Sequence, residues 1–213
     1  MQECYRVLKP GGIIRVAVPD LERIARIYLQ ALEEVLQGHD ERRHNHEWMM
    51  LELCDQMVRE RPGGGMLEYL KQDAIPNERF VYERLGGEAR DIVQSVQSRV
   101  GEVENRGCRW RELLSIIRYF PHLVRAKLIQ IFLGKDNFKA LQIGRFRGPG
   151  EVHHWMYDRY SLEQLLKHAG FHNPQSVGPI ESQISCWTGY NLDTMPDGTV
   201  HKPDSLYMEA FKP

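Results

Sequence analysis

An apolar strand between two chain-breaking turns constrains the fold of this chain more than any other feature. Residues 9–12 (KPGG) end a helix, residues 12–18 are mostly Ile, Val and Ala, and residues 19–20 (PD) end the strand. Apolar residues then recur at helical spacing as far as Gly38, and Asp20 is a favourable N-cap for that helix. This order predicts an α/β fold in which helices cover both faces of the strand.

The rest of the chain supplies few further strands. Only residues 175–180 and 205–211 show strand patterns, and a helix between Ser161 and Gly170, opened by an S-x-x-Q capping box, precedes them. A three-stranded sheet leaves strand 12–18 with an open apolar edge, which favours aggregation. We therefore expect either more sheet before Met1 in the natural protein or a partner chain that supplies it.

The middle of the chain has helical patterns only. We assign residues 44–150 to a helical insertion, a lid or an acceptor-binding part, and residues 1–43 and 151–213 to the sheet domain. The glycine cluster at 63–65 follows a predicted helix and is interpreted as a flexible connector between helices. Helices are predicted over residues 48–60, 66–71, 79–84, 88–100, 112–119 and 123–133.

Composition excludes several classes of protein. Basic residues number 28 and acidic residues 29, so the chain is not a globally basic nucleic-acid binder. The sequence has no apolar run of membrane-spanning length, and its start has no apolar segment typical of a signal peptide. Its four cysteines are far apart, which argues against a disulfide framework or a zinc site. A reducing, cytoplasmic location is the default expectation.

Three segments resemble the class I S-adenosylmethionine-dependent methyltransferases, in particular the methyltransferase type 11-like group. ECYRVLKPGGIIRVAVPDLERIARIY (3–28) is similar to the region of the fifth strand. GEVHHWMYDRYSLEQLLKHAGF (150–171) is similar to the helix before the sixth strand, and KPDSLYMEAFKP (202–213) to the seventh, antiparallel strand. The insertion, with LCDQMVRERPGGGMLEYL (53–70) and IPNERFVYERLGGEA (75–89), looks like that of a bacterial subgroup.

The resemblance covers only the C-terminal portion of that family. The family's Gly-rich loop after the first strand and its acidic residue after the second have no counterpart in this sequence. The resemblance implies an α/β fold: an incomplete Rossmann-like methyltransferase sheet of about three strands, the last antiparallel, with a large all-helical insertion. The cofactor would be S-adenosyl-L-methionine in the intact family, and we expect this chain alone neither to bind it nor to be active.

The segment that joins the insertion to the last helix has the richest side-chain chemistry. His153 or His154 is a candidate general base, because imidazole titrates near neutrality, and Tyr157 is a candidate positioning group. The family comparison favours His153. The structural alternative is a hinge in which Trp155 and Tyr157 pack against the insertion.

Three further residues are candidates for binding the methyl acceptor. Asp20 follows strand 12–18, at the edge of an open α/β sheet where ligands bind, although an N-cap role also explains it. Asp55 and Arg59 could line an acceptor pocket, or could form an i,i+4 ion pair on the solvent face of their helix. The polar stretch 39–47 contains three histidines, which we interpret as a solvated loop rather than as a metal site.

Charge is unevenly distributed along the chain. Residues 113–150 contain seven basic residues and one acidic residue, interleaved with apolar ones, so the segment carries +6 and the rest −7. The pattern is typical either of a packed helix pair with a solvated basic face or of contact with an anionic membrane or partner. Aromatic residues suited to base stacking are sparse, and nucleic acid is not an expected partner.

The leading hypothesis is therefore the C-terminal portion of a methyltransferase. The intact enzyme would transfer a methyl group from S-adenosylmethionine to a small or polymer-attached acceptor that the sequence does not identify. The alternative is a non-enzymatic interaction module that docks on an anionic membrane or partner through the basic amphipathic segment.

Overall fold

The structure, a computed structural model, describes residues 1–87, 90, 92, 93, 95 and 124–213. Most of the predicted helix 88–100 and all of the predicted helix 112–119 lie outside these residues. Residues 124–133 are helical, and 3₁₀ turns lie at Asp40–Arg42 and Trp187–Tyr190. The other elements, in chain order, are α1 (Gln2–Val7), β1 (Ile13–Pro19), α2 (Leu21–Leu36), α3 (Arg43–Val58), α4 (Gly64–Leu70), α5 (Glu78–Leu85), α6 (Lys135–Arg147), α7 (Arg159–His168), β2 (His172–Val177) and β3 (Ser205–Phe211).

The three strands form one open sheet in the order β1-β3-β2. The last strand of the chain lies in the centre and runs antiparallel to both neighbours, so the predicted antiparallel last strand is confirmed. Its bounds, residues 205–211, match the prediction. β2 begins at His172 and not at residue 175, and its pairing with β3 is irregular after His172, where Asn173 has a φ of 49°.

Burial differs sharply between the central strand and β1. Five consecutive residues of β3 are buried, but β1 has no buried residue although its sequence is mostly apolar. At one end of the β1–β3 ladder, Lys212 N–H donates to Gly12 O, and at the other end Asp20 N–H donates to Asp204 O. Pairing alternates along an antiparallel ladder, so the odd-numbered residues of β1 point their backbone groups away from β3. No strand among the described residues covers that edge.

A sheet core lies between α7 and one face of the sheet. Even-numbered residues of β1 and β3 face α7, as the two-residue period of a strand requires. Tyr5 of α1 contacts Phe171 edge-on, with ring centroids 5.2 Å apart. The buried members of this core are Leu162, Leu166, Phe171, Leu206, Met208 and Ala210, with Ile14, Val16 and Val18 packed against them.

A helical core contains α2 together with the helices of the expected insertion. α2 contributes Ile24 and Ala31, and the neighbouring helices contribute side chains such as Trp48 and Val81. Met156, from the segment before α7, is buried in the same core. One core therefore crosses the expected boundary at residue 43, which itself is the first residue of α3.

Two helices, α3 and α7, begin well before their predicted starts. α3 begins at Arg43 and not at residue 48, so the polar stretch is not all loop. Tertiary contacts favour the earlier start: Asn45 is buried and accepts a hydrogen bond from Asn77 (3.1 Å), and the His46 ring lies 5.6 Å from that of Tyr28. α7 has Asp158, and not the predicted Ser161, as its N-cap.

The Asp158 cap is a reciprocal capping box. Its carboxylate accepts from Ser161 N–H (2.7 Å), and Ser161 Oγ accepts from Asp158 N–H (3.1 Å). The predicted end of α7 is confirmed, because Gly170 follows the last turn with a φ of 98°. Among the described residues, no helix is long and apolar enough to cross a bilayer.

Candidate functional site

The carboxyl end of β1 brings two predicted site residues together. Asp20 donates its backbone N–H to Asp204 O (3.0 Å), and next to it Leu21 N–H donates to Tyr157 O (3.0 Å). Tyr157 thus pairs in parallel with Asp20, beyond the end of β1 and on the side of its free edge. The Asp20 carboxylate accepts from Arg23 N–H (3.1 Å), so its predicted N-cap role is confirmed.

A second group of predicted residues lies at the end of α3. His153 donates its backbone N–H to Gln56 O (3.0 Å) and is half-buried. Burial of the imidazole, followed by the positive charges of Arg59 and Lys202, lowers the pKa of His153 below its usual value. The ring is therefore neutral at pH 7 and able to accept a proton. The neighbouring His154 is exposed.

Asp55 and Arg59 form the predicted i,i+4 ion pair, but the pair does not lie on a solvent face. Arg59 Nη2 and Asp55 Oδ2 are 2.8 Å apart, and about nine-tenths of each side chain is buried. Asp55 Oδ1 also accepts from Gly65 N–H (2.6 Å), at the start of α4. The ion pair therefore holds residues 63–65, which we call the glycine connector, against α3.

The glycine connector (residues 63–65) is shaped around this carboxylate. Gly64 has a φ of 54°, and a Cβ there would meet Asp55 Oδ2 at 2.3 Å. Asp55 already accepts the hydrogen bond from Gly65 N–H that a phosphate would accept in a nucleotide-binding loop. The connector therefore does not fit such a loop. Gly63 N–H bonds Glu151 Oε1 (2.9 Å), which ties the connector to the segment that carries His153.

The ion pair borders a cleft of about 690 Å³. The cleft lies between the end of α3, the glycine connector and α6, which is held by a bond from Arg147 Nη2 to Met57 O (3.0 Å). Arg59 Nε is buried without a hydrogen-bond partner in the described part of the chain. The wall contains apolar side chains and charged side chains of both signs: Val58, Ile143, Phe146, Arg59, Arg61, Lys139, Asp55 and Glu60.

Trp155 contradicts the expectation that it packs against the insertion. It is 68% exposed and lines an open groove of about 540 Å³ with Tyr157 and residues of α7. The groove lies beside the carboxyl end of β1. An exposed tryptophan beside a free strand edge indicates a surface that another element could cover.

Sequence reasoning missed a buried ionic cluster around Arg15. This side chain leaves the sheet face opposite α7 and bonds Asp193 Oδ2 (2.7 Å) and Glu209 Oε1 (2.7 Å). Its guanidinium lies 4.7 Å from the Trp187 ring centroid and 5.2 Å from that of Tyr207. The contacts fix the loop between β2 and β3 over the sheet. A lone arginine within an apolar strand was the signal for this cluster.

Glu209 is held ionised within this cluster. Burial alone would raise its pKa, but hydrogen bonds from Gln183 N–H (2.8 Å), from the Ser182 hydroxyl and from Arg15 outweigh burial and lower the pKa. Burial raises the pKa of Tyr207 to about 12, so its hydroxyl stays protonated. The arrangement contributes rigidity, since its charges are mutually satisfied.

A second missed cluster joins the helical core to the start of β3. Glu52 and Arg84 form a fully buried ion pair, and Trp48 Nε1–H donates to Glu52 Oε2 (3.0 Å). Asp204 is buried beside them, and burial followed by the negative charge of Glu52 raises its pKa to about 6. Arg84 Nη1 is buried without a partner among the described residues.

The described residues contain no group of three or more His, Cys, Asp or Glu placed to hold a metal ion. In the polar stretch, His44 Nδ1 lies 2.9 Å from Glu47 Oε2, and both side chains are partly exposed. The three described cysteines, Cys4, Cys54 and Cys186, are free thiols.

Comparison with protein families, with curated proteins and with solved structures finds no match to this chain. What is established is a mixed α/β chain whose described residues form an open sheet of three strands, with the last strand central and antiparallel to both neighbours.

Proposed function

We propose that this chain is the C-terminal portion of an S-adenosylmethionine-dependent methyltransferase. The observation that carries the proposal is the parallel pairing of Tyr157 with Asp20 at the carboxyl end of β1, on the side of the free strand edge. In open α/β sheets, ligands bind beyond the carboxyl ends of the strands. The strand order β1-β3-β2, with an antiparallel central strand, supports the same proposal, because the resemblance implies a seventh, antiparallel strand.

Completion of the sheet by further strands accounts for the unusual state of β1. An apolar strand with no buried residue, and with one edge free among the described residues, is the expected state of a strand that lacks neighbours. Strands added along β1 would cover this edge and bring new residues beside Tyr157 and Asp20. In this proposal, those strands carry the cofactor-binding residues, and the 213 residues alone are inactive.

S-Adenosylmethionine would supply the methyl group, but the described residues do not fit it. The glycine connector is filled by Asp55, and no described glycine cluster follows a strand and begins a helix in the manner of a nucleotide loop. We therefore assign to this chain only the acceptor side of the reaction.

On the acceptor side, His153 is the proposed general base. It is neutral at pH 7, and Arg59 lies close enough to lower its pKa. The same Arg59 lines the cleft of about 690 Å³, so an acceptor bound there would lie near the imidazole. Tyr157 and Asp20 shape the end of β1, where Tyr157 contributes a side chain packed against the sheet core. His154, which is exposed, becomes the natural control for His153.

The first test is to find and add the missing strands. The DNA upstream of Met1, or a neighbouring gene, should encode a strand followed by a Gly-rich loop. Co-expression should give a complex that binds S-adenosylhomocysteine with micromolar affinity by calorimetry, whereas the 213 residues alone should not bind. Micromolar binding by these residues alone would contradict the division of roles, and a stable complex that does not bind would contradict methyl transfer.

The second test separates the two histidines in that complex. Methyl transfer from tritiated S-adenosylmethionine to a host metabolite extract should fall about 100-fold or more in His153→Ala, the lower end of the usual contribution of a general base. His154→Ala should retain turnover within about twofold, since an exposed neighbour does not act on the proton. Equal losses in both variants, or full activity of His153→Ala, would remove His153 as the base.

A further inference from the structure

The helix over residues 124–133 is apolar on two opposite faces. One face, with Ile129 and Leu133, is partly buried against the rest of the chain. At about 100° per residue, the apolar residues of the other face span roughly 100° of the helix circumference. These four form what we call the apolar stripe, exposed by 41%, 61%, 72% and 89% in chain order: Val124, Leu128, Ile131 and Phe132.

Basic side chains border the apolar stripe. Arg125 and Lys127 are exposed and, by helical geometry, lie on opposite sides of it. The following helix, α6, adds the exposed Lys135, Lys139 and Arg145. Residues 124–147 hold six basic residues and one acidic residue, a net +5, in a chain whose total is −1.

We propose that the apolar stripe and its basic border bind the surface of an anionic lipid bilayer. Apolar side chains would enter the boundary between headgroups and acyl chains, while the flanking cations contact lipid phosphates and keep their aliphatic stems along the apolar layer. In this proposal the helix lies in the membrane plane, because its apolar stripe covers only roughly 100° of the helix circumference and charged side chains border the stripe.

Charge argues for lipid rather than for a second copy of the chain. Two copies docked through the same stripe would bring the two basic borders together, which costs electrostatic energy. A planar anionic surface instead meets the cations on both sides of the stripe at once. The inference is independent of the proposed methyl transfer, since the apolar stripe includes none of the residues assigned to that reaction.

The experiment is co-sedimentation of the 213-residue chain with vesicles. Vesicles of equal parts phosphatidylcholine and phosphatidylglycerol should bind the chain at about 0.1 M salt, and pure phosphatidylcholine vesicles should bind it at least about tenfold less. The double variant Ile131→Gln/Phe132→Gln should lose more than about tenfold of the partition onto anionic vesicles. Arg125→Gln should lose about fivefold, a loss that higher salt should reduce.

A matched control tests whether any exposed apolar side chain would do. Leu36, at the end of α2, is 76% exposed, as much as Ile131, but it lies outside the apolar stripe and its basic border. Leu36→Gln should bind vesicles like the unaltered chain, and circular dichroism should show that all variants fold. Three results would overturn the proposal: equal binding to both vesicle types, binding unaffected by the double variant, or a dimer abolished by the double variant without vesicle binding. Binding to poly-glutamate but not to vesicles would overturn it as well, in favour of an acidic protein partner.

Discussion

Replacing Asp204 with asparagine should stabilise the chain at neutral pH. Asp204 is buried at the start of β3, and the nearby Glu52 is negatively charged, so its pKa is raised from 3.8 to about 6. Above this pKa the folded chain must therefore hold a poorly solvated carboxylate. The Asp204→Asn change keeps the shape of the side chain and removes only its charge.

The size of the effect follows from the pKa shift. A shift of about two units corresponds to roughly 3 kcal/mol between the two protonation states. Because the folded pKa is the higher one, the stability associated with the protonated carboxyl is present in full below the unfolded pKa and is lost as pH rises through about 6. We expect Asp204→Asn to gain up to about 3 kcal/mol at about pH 7.5, about half of that at about pH 5, and little at about pH 4.

Urea unfolding followed by circular dichroism at these three pH values measures the gain. Asp73→Asn makes the same chemical change on an exposed side chain and should alter the free energy of unfolding by less than about 0.5 kcal/mol at every pH. A gain for Asp204→Asn that does not change with pH would refute a titration origin. A loss of stability at the highest pH would refute the claim that burial penalises this charge.

Two further changes test the clusters near the site by urea unfolding. Gly64→Ala should lower the free energy of unfolding by about 1–3 kcal/mol more than Gly11→Ala does. Both positions have a positive φ, but of the two only Gly64 would bring a Cβ against the Asp55 carboxylate that caps α4. Equal losses would show that the close contact carries no energy. Glu52→Gln should lower the free energy of unfolding by about 3–5 kcal/mol, since Arg84 is then left as an uncompensated buried charge. Glu83→Gln, in an exposed pair, should lower it by less than about 1 kcal/mol. Similar losses would contradict the burial of the Glu52–Arg84 pair.

Local signals predicted the strands and helix ends well where nothing distant competes with them. β3 and the Asp20 cap depend on short-range alternation and capping, and the structure contains both. The predicted start of α7 was wrong because Asp158 and Ser161, three residues apart, both satisfy the capping rules. Backbone pairing of the preceding Tyr157 with β1 and α2 holds the chain extended through Asp158, and the helix begins after it.

The candidate site was only partly visible in the sequence. Asp55 and Arg59 were paired correctly by their spacing, but their burial depends on the glycine connector, which folds onto α3 ten residues further along. The Arg15 cluster was missed because its partners are 178 and 194 residues away in the chain. Spacing rules do not detect contacts of that separation, since each partner alone looks like an ordinary surface charge.

The sequence by itself determined the α/β class, the approximate positions of the strands and the basic character of residues 113–150, because these follow from composition and short periodicities. Only the tertiary structure decided that β3 lies between β1 and β2, that β1 keeps a free edge among the described residues, and that the positive charge of Arg59 acts on a half-buried His153. Those facts depend on which distant segments pack together. Packing is decided by the joint burial of apolar faces and the pairing of buried charges, and a linear pattern does not specify the partner of either.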